Sequence, residues 1–273
     1  MNSITLHKKM GQHFLKDKHI AEKIVKTIEI EGNDWILEIG PGDGVLTQFL
    51  INSPAQKIIA VEIDHRFTQL LREKFNKAEN LDIIGEDFLV FAEDFFNKLD
   101  RKVHVIANLP YYITTPILFT LLDYRFKLLT SVVTIQKEVA DRLVSSPDTK
   151  TYGIPSVLFQ LYTEIEQIFT ISKNSFFPVP KVDSAVIKIK FLEKPLYALE
   201  NEKFFRIMLK KLFGQRRKMI KNTLKTIIPK MESFTTLSVD MTRRPENLTV
   251  KQFVRLSNEL YSLHKEKDHD RSR

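Results

Sequence analysis

Hydrophobic and polar positions follow two regimes along the chain. Up to about residue 190, short apolar runs alternate with helical spacing; beyond Glu202 only helical spacing remains. Ile20, Ile24, Val25 and Ile28 recur at the helical repeat and predict a first amphipathic helix. Trp35 to Ile39 is a continuous apolar run closed by Gly40-Pro41-Gly42-Asp43-Gly44, after which Val45, Leu46, Phe49 and Leu50 return to helical spacing. That order reads as strand, glycine turn, helix. Residues 57–63, 81–84 and 103–107 predict three further strands, and 113–122 predicts a helix entered through Thr114, Thr115 and Pro116. A strand over 131–135, a helix over 138–143, a polar loop over 145–155 and closing strands over 165–171 and 184–189 complete an α/β pattern with a parallel sheet. In the last stretch Phe204, Phe205, Met208, Leu209, Leu212 and Phe213 share one helical face, with Gly214 as its stop. Residues 250–263 predict another helix, and the charged tail 265–273 no fixed structure. The expected domains are 1–192 and an all-helical 193–273.

The strand ends carry the candidate chemistry. A dinucleotide-binding turn would place its third glycine at position 45, which is Val45. Glu38-Ile39-Gly40-Pro41-Gly42-Asp43-Gly44 instead resembles the S-adenosylmethionine loop of Rossmann-like methyltransferases. Glu62 stands 22 residues after Gly40, the distance at which a carboxylate accepts both hydroxyls of a ribose. Gly85-Glu86-Asp87-Phe88 brings an acid, Asp87, to where an adenine amino group needs an acceptor. The fourth strand delivers Asn108-Leu109-Pro110-Tyr111-Tyr112. An adenine amino group is a poor nucleophile because its lone pair is delocalised into the ring, and an enzyme localises that pair by holding the N–H bonds. The Asn108 side-chain oxygen and the Leu109 carbonyl suit that task, Pro110 fixes the backbone so that both point one way, and Tyr111 offers a flat face to the base. A plain strand-to-turn junction accounts for Asn and Pro equally well, so the neighbouring segments decide. Residues 176–183 form a rigid aromatic loop, and its Phe177 either walls a base pocket or plugs a sheet end.

Composition narrows the class. The 273 residues, 43% of them hydrophobic, suffice for one large and one smaller domain of a soluble protein. No cysteine is present, which excludes disulfides, thiolate zinc sites, iron–sulfur clusters and a cysteine nucleophile; no metal is expected. No apolar run approaches the ~20 residues of a membrane span, and the N-terminus lacks a signal-peptide pattern, so a cytoplasmic location is expected. The net charge of +8 is lopsided: residues 191–273 hold 19 Lys/Arg against 10 Asp/Glu, and the rest is near neutral. Between residues 203 and 225 there are nine Lys/Arg and no acid, so Arg216, Arg217, Lys218 and Lys221 read as a phosphate-binding cluster on a helix. Solubility is the plainer alternative.

Five motifs in order make the chain similar to the KsgA/RsmA family of small-subunit rRNA adenine dimethyltransferases over nearly its whole length. They are Gly11-Gln-His-Phe-Leu-Lys-Asp17, Glu38-Ile-Gly-Pro-Gly-Asp-Gly44, Asn108-Leu-Pro-Tyr-Tyr112, Phe177-Pro-Val-Pro-Lys-Val-Asp-Ser-Ala185 and Gln215-Arg-Arg-Lys218. The resemblance implies a class I methyltransferase fold, S-adenosylmethionine as methyl donor, and donor contacts from His13, Leu15, Gly40, Glu62, Asp87 and Asn108. His13 stands where many members carry Asn. It further implies a monomer that transfers two methyl groups to each of two adjacent adenosines near the 3′ end of small-subunit rRNA during ribosome assembly. The Erm-type enzymes, which modify large-subunit rRNA, are the nearest alternative. Leu109, the Lys-Val-Asp-Ser-Ala-Val run and Gln-Arg-Arg-Lys look less like them. A non-catalytic RNA-binding assembly factor and a DNA adenine methyltransferase are further readings, the first opposed by intact Asn108, Pro110 and Tyr111.

Overall fold

The computed structural model describes residues 13–227 and 237–270; Gly11 and Gln12 of the first motif and residues 271–273 of the tail lie outside it. A short strand β1 (Phe14–Leu15) leads into α1 (Lys18–Val25), which starts where the Asp17 carboxylate accepts the His19 N–H at 2.9 Å. Strands and helices then alternate as β2 (Trp35–Ile39), α2 (Thr47–Leu50), β3 (Lys57–Val61), α3 (His65–Lys74), β4 (Leu81–Ile84), α4 (Phe88–Lys98), β5 (Val103–Asn108), α5 (Thr114–Asp123), β6 (Leu128–Gln136) and α6 (Lys137–Leu143). Next come α7 (Ile154–Tyr162), β7 (Thr163–Ile171), β8 (Phe176–Phe177) and β9 (Ser184–Phe191), and finally α8 (Glu202–Gly214), α9 (Ile220–Ile227) and α10 (Val250–Asp270).

Seven strands form one sheet in the order β4-β3-β2-β5-β6-β9-β7. The first five pair in parallel, and β9 runs antiparallel to β6, so the sheet is mixed rather than wholly parallel. The central strands are buried almost along their length, as in β2, where only Trp35 keeps partial exposure. That is the reason they read as unbroken apolar runs and not as alternating ones. Strand order reverses between β2 and β5, and ligands of open α/β sheets bind beyond the carboxyl ends of the strands at such a point.

The chain divides into two compact units. One holds the described residues up to Ala140 together with Glu164–Glu193; the other holds Asp141–Thr163 and the described residues from Lys194 onward. The expected division at 192/193 therefore lacks a detail: the chain enters the second unit once before it settles there. The inserted segment carries α7, where the residue pattern predicts only a loop ending near residue 155. Gly153 and Pro155 look like breakers in the sequence, yet here they start a helix, with the Gly153 N–H donating to Ser156 Oγ at 3.0 Å and Pro155 in the first turn. Two further corrections fall in the second unit. Gln215 to Lys218 form the turn between α8 and α9 rather than part of a helix, the Lys218 N–H closing on the Gln215 carbonyl at 2.8 Å. And α10 runs on past residue 263 to Asp270, because Lys and Glu propagate a helix already started.

Candidate active site

Gly40 follows directly on β2, and its N–H donates to the Val61 carbonyl of β3 at 2.9 Å. Gly40, Gly42 and Gly44 all take positive φ, of 66°, 57° and 80°, a region costly to residues with a Cβ. Their surroundings differ. A Cβ on Gly42 would lie 2.8 Å from the Phe14 ring and one on Gly44 2.6 Å from the Phe75 ring, whereas one on Gly40 would meet no atom within 4 Å. Two of the glycines admit neighbouring side chains of the fold, and the third faces open space.

Glu62, just past β3, is 4% exposed. Its two carboxylate oxygens accept the N–H groups of Gly42 and Asp64, each at 3.0 Å. Burial pushes its pKa up, and those N–H groups partly offset the shift. Each oxygen keeps a lone pair for a ligand. Beneath the glycine turn lies Glu38, 1% exposed, with Oε2 accepting the Thr47 hydroxyl at 2.7 Å and Oε1 without a partner. Burial, with the Glu62 charge as a lesser cause, pushes its pKa up to about 8.

Asn108 ends β5. Its Nδ2 donates to the His13 carbonyl at 3.1 Å, and a carbonyl takes only a donor, so the amide orientation is fixed with Oδ1 left for another partner. Leu109 is buried, its N–H donating to the Thr134 carbonyl at 3.0 Å. The Pro110 carbonyl accepts the Thr114 hydroxyl at 3.0 Å and so joins the turn to α5. Tyr111 Oη lies 2.7 Å from Ser184 Oγ, and its ring stands 5.1 Å from the His13 ring, between centroids. His13 is held in turn: its Nδ1 donates to the Pro178 carbonyl at 2.6 Å. β1 pairs antiparallel with β8, Phe14 opposite Phe177 and Leu15 opposite Phe176, so the N-terminal segment is tied to the aromatic loop. Phe176 is buried and Phe177 is 58% exposed; the loop both plugs and presents a ring.

These elements border a cavity that opens to solvent, with about 860 Å³ of empty space when its open mouth is counted. His13, Leu15, Gly40, Glu62, Asp87 and Asn108 all line it, as does Pro110, while Leu109 and Tyr111 do not. Asp87 also caps α4, accepting the Leu89 N–H at 2.8 Å. Asp43, Glu62, Glu86 and Asp87 line the cavity, and among the described residues no Lys or Arg joins them, a wall suited to a cationic ligand. Ile63, Phe88 and Tyr112 line it too, and sequence reasoning does not single them out. Ile63 and Tyr112 are 44% and 58% exposed; the one signal for them is position, Ile63 following Glu62 and Tyr112 closing the motif that starts at Asn108.

In the second unit the basic cluster separates into two kinds. The Arg216 guanidinium forms an ion pair with Glu246 and donates to the carbonyls of Lys150 at 2.8 Å and Thr149 at 3.0 Å. It holds the inserted segment rather than standing free for phosphate. Arg217 and Lys218 are exposed and Lys221 is half-exposed.

Comparison with known proteins supplies the rest. The profile of the family described as ribosomal RNA adenine dimethylase matches residues 3–262. The Ribosomal RNA small subunit methyltransferase A of Halothermothrix orenii is 41% identical over 279 residues, 97% of this chain and 92% of that protein. Its counterpart in Bacillus pumilus is 40% identical, over 93% of this chain and 90% of that one. A solved dimethyladenosine transferase from Plasmodium falciparum shares the fold with a TM-score of 0.75 at 23% identity, covering 91% of this chain and 98% of that one. The 23S rRNA methyltransferase ErmE gives a TM-score of 0.70 at 26% identity, covering 91% and 99%. The fold is thus the class I methyltransferase fold, and with the family profile spanning almost the entire sequence, the chain belongs to the ribosomal RNA adenine dimethylases.

Proposed function

We propose that this chain transfers methyl groups from S-adenosylmethionine to the N6 atoms of two adjacent adenosines in the 3′-terminal hairpin of small-subunit rRNA. It does so in the cytoplasm as a monomer acting on a subunit precursor, without a metal. Three features support this donor: lone pairs on both Glu62 oxygens for the ribose hydroxyls, unobstructed space at Gly40, and an acidic lining that suits a ligand carrying a sulfonium and an ammonium. When bound, the donor supplies an electrophilic methyl group on positively charged sulfur. The chain does the rest. Asn108 Oδ1 and the Leu109 carbonyl accept the N6–H bonds and so localise the nitrogen lone pair, most strongly as the nitrogen becomes tetrahedral. One of those protons then leaves to water. Tyr111, fixed through Ser184 and His13, gives the extracted base a wall. Asp87 accepts from the donor's adenine, and Arg217, Lys218 and Lys221 hold rRNA phosphates.

The observation that carries this reading is the anchored Asn108 amide: its nitrogen is occupied by the His13 carbonyl, which leaves its oxygen for another partner, and Asn108 lines the cavity. The small-subunit substrate is supported by the names of relatives about 40% identical to this chain, against 26% for ErmE. Labelled S-adenosylmethionine offered in parallel with unmethylated small subunits, large-subunit rRNA and duplex DNA tests it. Label is expected in the small subunits alone.

A further inference from the structure

The first unit has a second, wider cavity that methyl transfer leaves without a use. It lies between β1, α2 and α3 and holds about 1310 Å³ of empty space open to solvent. Its apolar floor includes Phe14 and Phe67, whose ring centroids are 5.2 Å apart, and Leu70. Lysines 16, 18 and 74 line it, and so does the 58% exposed Phe177. Phe14, Leu15, Asp43 and Val45 line both cavities, so one thin wall separates this groove from the donor site.

Of the three lysines, Lys74 is engaged within the fold and the other two are not. Lys16 and Lys18 are exposed and make no ion pair with any described residue. Lys18 is the first residue of α1, whose first turn carries no acid; a cation there opposes the helix dipole. Lys74 donates to the Asp43 carbonyl at 2.7 Å, its ammonium over the Phe75 ring at 5.0 Å, so it is held in place where it lines the groove. Ammonium groups beside an apolar floor and an exposed aromatic ring are the features with which proteins hold unpaired nucleotides, phosphates on the cations and a base on the ring.

Resting on the rRNA reading above, we propose that this groove binds unpaired nucleotides flanking the target adenosine. Their phosphates lie on Lys16, Lys18 and Lys74, and one base stacks on Phe177. The groove thereby brings the acceptor strand past the wall of the donor site and gives the first unit an RNA-binding surface of its own.

The test uses the full chain and a small-subunit hairpin RNA with its single-stranded flank. Two variants, Lys16→Ala with Lys18→Ala, and Phe177→Ala, are compared with wild type and with the charge-preserving Lys16→Arg, Lys18→Arg. Each phosphate deprived of its cation is expected to lower the log–log salt slope of RNA binding by about 0.7, hence about 1.4 for the double Ala variant. Phe177→Ala is expected to weaken RNA binding about tenfold or more. In both, KM for RNA rises while kcat at saturating RNA and donor affinity stay within about twofold of wild type, and the Arg variant keeps the slope. Unchanged RNA affinity and slope in both Ala variants would overturn the groove and leave the methyltransferase reading intact. A matching loss of donor affinity would also overturn it, by assigning these residues to the donor wall. A wild-type protein that methylates no rRNA would defeat the earlier reading, with the groove still judged by the binding slopes.

Discussion

Glu62 does two things with one carboxylate: it ties Gly42 and Asp64 together through their N–H groups, and it turns its remaining lone pairs to the cavity. Glu62→Ala is therefore expected to cost about 1–3 kcal/mol of donor binding and some stability as well. Calorimetry with S-adenosylmethionine checks the first, and an unaltered affinity would contradict the ribose assignment. Glu38 offers a different handle. Its pKa is raised from 4.5 to about 8, chiefly by burial, so between those values the folded chain keeps a proton that the unfolded chain has released. Stability contributed by this site is therefore withdrawn as pH rises through that window and is unaffected below it. Glu38→Gln keeps an acceptor for Thr47 and, like the protonated acid, carries no charge. The variant should match wild type near pH 4.5 and exceed it above pH 8 by on the order of a few kcal/mol. Urea denaturation at both pH values checks this, and parallel profiles would contradict it.

At the scale of elements, the glycine turn separates packing from binding. Gly44→Ala drives a Cβ against Phe75 and Leu71 at a positive φ, and overpacking adds about 1–3 kcal/mol to the backbone cost. Gly40→Ala meets no atom within 4 Å and bears only the backbone cost, about 1–2 kcal/mol, but Gly40 lines the cavity proposed to hold the donor. The first should lose mainly stability and the second mainly donor affinity; calorimetry and denaturation measured on both would expose the reverse pattern. Much of this region is legible in the sequence because buried parallel strands leave continuous apolar runs and glycines mark the turn. The six expected donor residues do line one cavity. Other features are not legible, each for a physical reason. Pro155 breaks a pattern whether it ends a helix or opens one, so α7 stays hidden. Cavity lining by Ile63, Phe88 and Tyr112 depends on where strand ends meet, which spacing along the chain does not encode. Arg216 has the charge of its neighbours, and only the folded chain sets it against Glu246.

For the whole molecule, positive charge is in excess beyond residue 190 while acids line the cavity of the first unit, and the proposed function gives the two units opposite electrostatic tasks. Replacing Arg217, Lys218 and Lys221 with Ala should weaken RNA binding and lower its salt slope by roughly 0.7–0.9 for every phosphate no longer held, with donor affinity unchanged. Arg216→Ala should instead lower stability, since it removes an ion pair and two hydrogen bonds to carbonyls. Salt titrations and denaturation on both proteins distinguish the roles, and a stable Arg216 variant with a reduced slope would reverse them. The most direct measurement is a nucleoside analysis of unmethylated small subunits after incubation with S-adenosylmethionine and either the wild-type chain or Asn108→Ala. Wild type is expected to yield N6,N6-dimethyladenosine at two adjacent positions of the 3′-terminal hairpin, and Asn108→Ala to bind the donor within a modest factor while losing most turnover. Near-normal single-turnover methylation by Asn108→Ala, or methylation confined to large-subunit rRNA or DNA in parallel reactions, would contradict it.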